Sequence, residues 1–152
     1  MFGMGIRPCN DDVTPIFDWL YLGGVKNIRK TLPFVDVWID FRCDRRSPKQ
    51  LVIPPTICYH HFPFDDGNLG EAIPVWETAY QLVSTYKKQG KRIFITCYEG
   101  VSRSATLALW IACEEFQDYG QALSHVKSCR NIHIDRAFSP FLQELQLKYT
   151  NP

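Results

Sequence analysis

The chain has 152 residues, 45% of them hydrophobic, with 17 lysines and arginines against 16 aspartates and glutamates. That length suits one packed domain and is short for two, so residues 1–152 read as a single domain. A net charge of +1 excludes the broad positive field of a general nucleic-acid binder, so no DNA partner is expected, and the hydrophobic content excludes a disordered chain.

The longest nearly unbroken apolar stretch, 105–113, falls far short of the roughly 18 residues a membrane span needs, and the first residues lack a signal-peptide core. A soluble, cytoplasmic monomer is expected. Six cysteines, Cys9, Cys43, Cys58, Cys97, Cys113 and Cys129, show no CxxC pair, so neither a disulfide framework nor a metal site is expected, and most read as small buried apolar residues.

In chain order, PIFDWLYLGG at 15–24 predicts one or two short strands closing in a turn. A short helix follows with Val25, Ile28 and Leu32 on one face. The segments 34–41, 57–64 and 92–97 are rich in β-branched and aromatic residues and predict three central strands. Between the last two, Val75, Ala79, Leu82, Val83 and Tyr86 recur at helical spacing, with Pro74 at the first helical position and Gly90 past the end, which predicts an amphipathic crossover helix.

After Arg103, SATLALWIACEEF is apolar almost all round and predicts a helix buried at the centre of the domain. Ala122, Leu123, Val126 and Cys129 mark another. The last opens at Ser139-Pro140 and turns Phe141, Leu142, Leu145 and Tyr149 inward. Strands alternating with helices, then a helical C-terminal third, define an α/β fold: a small central mixed sheet flanked by helices. Trp19, Trp38, Trp76 and Trp110 read as core or near-core packing.

The segment ITCYEGVSRSA, 95–105, places Cys97 and Arg103 six apart at the junction between an apolar strand and the buried helix. With six cysteines and nine arginines in the chain, chance gives about 0.4 such pairs, and requiring Gly100 in the third position cuts this to about 0.02. A loop between a strand end and a helix N-terminus points backbone N–H groups inward, where the helix dipole adds partial positive charge. Such a loop holds a phosphate-sized anion and favours a thiolate at its start. Arg103 brings a planar fork that grips two phosphate oxygens, and Gly100 lets the backbone turn.

CYEGVSRSA resembles the Cys-x-x-Gly-x-Ser-Arg-Ser signature of the cysteine-dependent protein tyrosine phosphatases, in the small dual-specificity branch. FDWLYLGG resembles that branch's opening segment, HFPFDDGN its general-acid loop and residues 130–138 its closing segment, so the likeness runs from about 15 to 148. The resemblance implies a protein tyrosine phosphatase-like fold and a phosphatase acting on phosphotyrosine and phosphoserine/threonine in a phosphoprotein or phosphopeptide, without metal or cofactor. Cys97 would be the nucleophile, forming a phosphocysteine intermediate. Arg103 and the backbone of Tyr98, Glu99, Gly100, Val101 and Ser102 would bind phosphate, sulfate or vanadate-type anions. Ser104 would assist thiolate departure.

The family's Pro-x-x-Asp pattern puts the general acid on Asp66, with Asp65 as the alternative, although Asp66-Gly67 also reads as a plain turn. Two departures stand out: Thr96 where the family has His, which leaves the thiolate less favoured, and Ile134-Asp135 where it often has Pro-Asn, an added negative charge unless Arg130 or Arg136 pairs with it. Glu99 either orients the loop arginine or faces solvent.

Arg42, Arg45, Arg46 and Lys49 form a basic cluster, a solvated loop or a patch for polyanions. The patch would suit a phosphoinositide or RNA 5′-phosphatase, and a phosphate-binding pseudophosphatase is the non-enzyme alternative. Cys43 is a burial or loop position, or a redox partner of Cys97. His60 and His61 fall on opposite faces of a strand, without catalytic roles.

Overall fold

The computed structural model describes residues 10–43 and 51–150. Its described residues form a five-stranded mixed sheet in the order β1-β2-β5-β3-β4. The aromatic opening segment makes the hairpin β1 (Thr14–Phe17) and β2 (Leu20–Gly23), antiparallel to each other. Strands β3 (Val37–Asp40), β4 (Cys58–His61) and β5 (Ile93–Thr96) join in parallel, and β5 also pairs in parallel with β2. Gly23, Asp40 and Thr96 lie in register, so three strands end together. The carboxyl ends of parallel strands are where ligands bind in open α/β sheets.

The apolar segments were expected to give three central strands, but β4 is an edge strand: Cys58 is exposed and Tyr59, His60 and His61 are half-buried. Composition records that a segment suits a pleated surface, whereas its place in the sheet depends on which strand it pairs with. After β2, a short α1 (Ile28–Thr31) is flanked by single 3-10 turns; Ile28 on the helix and Leu32 in the turn after it are buried.

Helix α2 (Leu69–Lys88) begins five residues before the expected start. Asn68 caps it, its side chain accepting from the Glu71 N–H at 3.2 Å, which satisfies a donor the helix leaves open. Pro74 therefore lies inside the helix, and the buried stripe is Ala72, Trp76, Ala79 and Val83, which keeps the expected Ala79 and Val83 and has Trp76 where Val75 was expected.

Helix α3 (Arg103–Phe116) passes through the middle of the molecule with ten buried residues. It packs against α4 (Tyr119–Cys129), and α5 (Ser139–Lys148) buries Phe141 and Leu145. Trp38 and Trp76 are fully buried, and Trp19 and Trp110 pack at the edge of the core. Of the cysteines, only Cys97 and Cys113 follow the buried reading; Cys58 is exposed, Cys43 and Cys129 are half-buried, and Cys9 lies outside the described residues. Burial pushes the Cys113 thiol up to about 12, so it stays protonated and inert at neutral pH.

His60 on β4 accepts or donates a 2.7 Å bond with the Tyr86 hydroxyl of α2, and burial lowers its pKa. The folded state thus prefers the neutral ring, so its contribution is complete above the ordinary histidine value of 6.5 and is lost as pH falls through the lowered one. The urea midpoint of unfolding is expected to drop between pH 7 and pH 5, and His60→Gln should flatten that slope. An unchanged slope would show that this histidine contributes nothing to it.

Candidate active site

Cys97 follows directly on β5, and the chain then turns through 98–102 into the first turn of α3. The shape of this loop follows from where its carbonyls go. Tyr98 O accepts from the Val25 N–H at 2.8 Å, Val101 O from the His133 N–H at 2.9 Å and Ser102 O from the Thr106 N–H at 2.8 Å. Glu99 O and Gly100 O accept from the Arg130 Nη2 and Nε at 2.9 and 2.8 Å. Five successive carbonyls therefore point outward. No peptide bond among the described residues is cis, so each planar trans unit sends the following N–H the opposite way. The N–H groups of Glu99 through Arg103 therefore face inward, on the Cys97 side, in the arrangement of a backbone nest at a helix N-terminus, a geometry suited to an anion.

Two glycines make the turn possible. Gly100 has φ +72°, and a Cβ there would lie 2.5 Å from the Gly23 carbonyl oxygen and 2.8 Å from Arg130 Nη2. At Gly24 a Cβ would come within 2.7 Å of the Tyr98 carbonyl oxygen. The loop thus sits directly on the end of β2, closer than a side chain permits.

Within it, Cys97 is buried and its Sγ lies 3.0 Å from the Ser104 Oγ. The Arg103 Nη1 donates to the carbonyls of Phe41 at 3.2 Å and Phe64 at 2.8 Å. Its Nε is buried without a partner among the described residues, a donor that a tetrahedral oxyanion in the nest would satisfy. Phe64, buried against Phe41 and Trp76, anchors the loop that carries Asp65 and Asp66. Asp66 on that loop accepts from the Ser102 hydroxyl at 2.7 Å, whereas Asp65 accepts from the Cys43 thiol at 3.4 Å. Asp66 is thereby brought to the nest and Asp65 is not. A cleft of about 650 Å³ runs along the loop, lined by Lys26, Asp66, Tyr98, Glu99, Val101 and His133.

Several sequence expectations change here. The Glu99 side chain is exposed and only its carbonyl is engaged, which decides for the solvent-facing reading. Asp135 is not paired with Arg130, whose partners are the carbonyls of Asp12, Glu99 and Gly100 and the Thr14 hydroxyl. Its carboxylate instead caps the turn before α5 by accepting from the Ala137 N–H at 2.9 Å.

Arg42 is no part of a surface patch. It is 2% exposed and donates through Nε and Nη2 to the fully buried Asp40, each at 2.9 Å. Arg45, Arg46 and Lys49 lie outside the described residues. Thr96, in the position before Cys97, donates to Asp40 at 3.0 Å and accepts from the Trp38 indole at 2.9 Å. Arg130 as the clamp behind the loop was missed by the sequence reading; a lone arginine in the closing segment was its only signal.

No family model matches the chain. It is 29% identical over 137 residues to a probable rhodanese domain-containing dual specificity protein phosphatase of Dictyostelium discoideum, covering 89% of this chain and 29% of that protein. Among solved structures, the Cydia pomonella PTP-2 phosphatase is 26% identical with a TM-score of 0.68, covering 88% of this chain and 89% of that one. Human DUSP28 superposes with a TM-score of 0.75 at 18% identity, covering 93% and 97%. The fold is that of the protein tyrosine phosphatase superfamily, and the sequence is similar to its dual-specificity branch. The chain spans less than a third of the length of the Dictyostelium relative.

Proposed function

We propose that the chain hydrolyses phosphate monoesters on proteins, phosphotyrosine and phosphoserine/threonine alike, through a phosphocysteine intermediate. The observation that carries this reading is the inward-facing amide nest with Cys97 at its base and Arg103 at its rim. In the first step the Cys97 sulfur attacks phosphorus, the bond to the leaving oxygen breaks and Asp66 gives that oxygen its proton. Arg103 and the amides hold the equatorial oxygens as charge builds on them. In the second step water attacks phosphorus and loses its proton to Asp66, the S–P bond breaks, and the Ser104 hydroxyl stabilises the departing thiolate. Inorganic phosphate leaves.

Protein substrates are favoured over polyanions because Arg42, the described member of the basic cluster, is spent on Asp40, while the cleft carries carboxylates as well as Lys26. A monomer in a reducing compartment such as the cytoplasm suits a free thiol nucleophile.

The test is hydrolysis of para-nitrophenyl phosphate with and without chelator, followed by acid quench and mapping of trapped phosphate. Chelator-insensitive turnover with phosphate on Cys97 is expected; a wild type that binds phosphate without turnover would make the protein a pseudophosphatase. Asp66→Asn is expected to lower turnover by about 10²-fold or more, and Asp65→Asn only a few-fold. Equal losses, or the reverse order, would discard Asp66 as the acid.

A further inference from the structure

Ser102 lies in the phosphate loop, yet its side chain is committed elsewhere. Its hydroxyl donates to Asp66 Oδ1 at 2.7 Å and accepts the Asp135 N–H at 2.9 Å. One oxygen therefore joins three segments: the acid loop, the phosphate loop and the stretch leading into α5. An amide N–H can only donate, so it fixes the hydroxyl's direction and leaves the Ser102 proton for Asp66. Ser102 is 4% exposed, whereas Asp66 is exposed. A mobile kind of side chain is thus tied to a buried group that cannot turn away.

We propose that Ser102 is the positioning residue of the general acid, holding Asp66 over the nest through Oδ1 and leaving the transferable proton on Oδ2. This rests on reading Asp66 as the acid. An oxygen that already faces a donated proton is the poorer place for a second one, so the carboxyl proton resides on Oδ2. During the first step that proton passes to the leaving oxygen, which takes the electron pair of the breaking P–O bond. Asp66 becomes a carboxylate as this happens, and the Ser102 bond becomes charge-assisted and shorter. The latch therefore strengthens as the acid gives up its proton, and it keeps the carboxylate in place to take a proton from water in the second step.

The consequence is selective. A nitrophenolate departs with little help, whereas a phenolate, and still more a serine alkoxide, needs the proton delivered. Ser102 thus matters most for the substrates with the most basic leaving groups.

The experiment compares turnover of para-nitrophenyl phosphate and unsubstituted phenyl phosphate for wild type, Ser102→Ala and Ser102→Thr, each with Asp66 intact and with Asp66→Asn. Ser102→Ala is expected to raise the ratio of the two rates by about tenfold, and Ser102→Thr, which keeps the hydroxyl, to return it toward wild type. In the Asp66→Asn background Ser102→Ala should leave the ratio where Asp66→Asn has already put it, because both changes remove one function. Equal loss on both substrates, or a ratio that shifts as much without Asp66 as with it, would overturn the latch and give the hydroxyl a role in loop shape alone. A ratio that Asp66→Asn does not move sinks the acid assignment itself, and the latch with it.

Discussion

Cys97→Ser is expected to lower turnover of para-nitrophenyl phosphate by about 10⁴-fold or more while inorganic phosphate binds at least as tightly as before. The two halves have separate causes. Turnover needs a sulfur nucleophile, and a serine hydroxyl in the same place has no base at hand: the Cys97 Sγ faces the Ser104 hydroxyl, which is no proton acceptor of useful strength at neutral pH. Binding rests on the amides of the nest and on Arg103, and a neutral hydroxyl repels a phosphate dianion less than a thiolate does. Steady-state kinetics and a phosphate-dependent shift of the melting temperature read the two effects on one preparation. Retained turnover would remove the phosphocysteine route, and lost binding would mean that the sulfur holds the loop in shape.

Arg103→Lys should fail on both counts. A single ammonium cannot hold Phe41 O and Phe64 O and still present a planar fork to the substrate.

The loop from Cys97 to Arg103 was legible because its signal is local: a strand end, a glycine with positive φ and a helix start lie within a few residues of one another. Everything that holds the loop is remote. Arg130 clamps it from 30 residues away, Ser102 reaches Asp66 across 36, and Thr96 meets Asp40 across 56. No periodicity relates such positions, since only the strand order brings them together. Arg42 shows the same limit from the other side. Arg45 and Arg46 follow it closely in sequence, which reads as a solvated patch, but alternation along the strand end turns Arg42 back onto Asp40, a choice made by burial next to β3 and invisible to composition. Pro74 misled in a third way, because the helix starts at the Asn68 cap and carries the proline inside it rather than at its first position.

Asp40→Ala is expected to destabilise the fold by about 3–5 kcal/mol, a large share of the roughly 5–15 kcal/mol that a domain of this kind has in total. The Asp40 carboxylate is fully buried and accepts five bonds: from the Arg42 N–H, Nε and Nη2, from the Tyr59 hydroxyl and from the Thr96 hydroxyl. Removing it leaves the Arg42 guanidinium buried with no counter-charge, which is what makes breaking such a pair so costly. Removing both partners in Asp40→Leu/Arg42→Met should cost markedly less, because no charge is then stranded. Urea unfolding of the single and double variants gives the comparison. A loss below about 1 kcal/mol in Asp40→Ala would show that water or the neighbouring polar groups satisfy Arg42 unaided. The site should feel the change through two residues. Thr96 immediately precedes Cys97, and Phe41, next to Asp40, supplies a carbonyl that holds Arg103. Asp40→Ala should therefore lose turnover even at temperatures where it remains folded, whereas the double variant, with β3 packed again, should regain part of it.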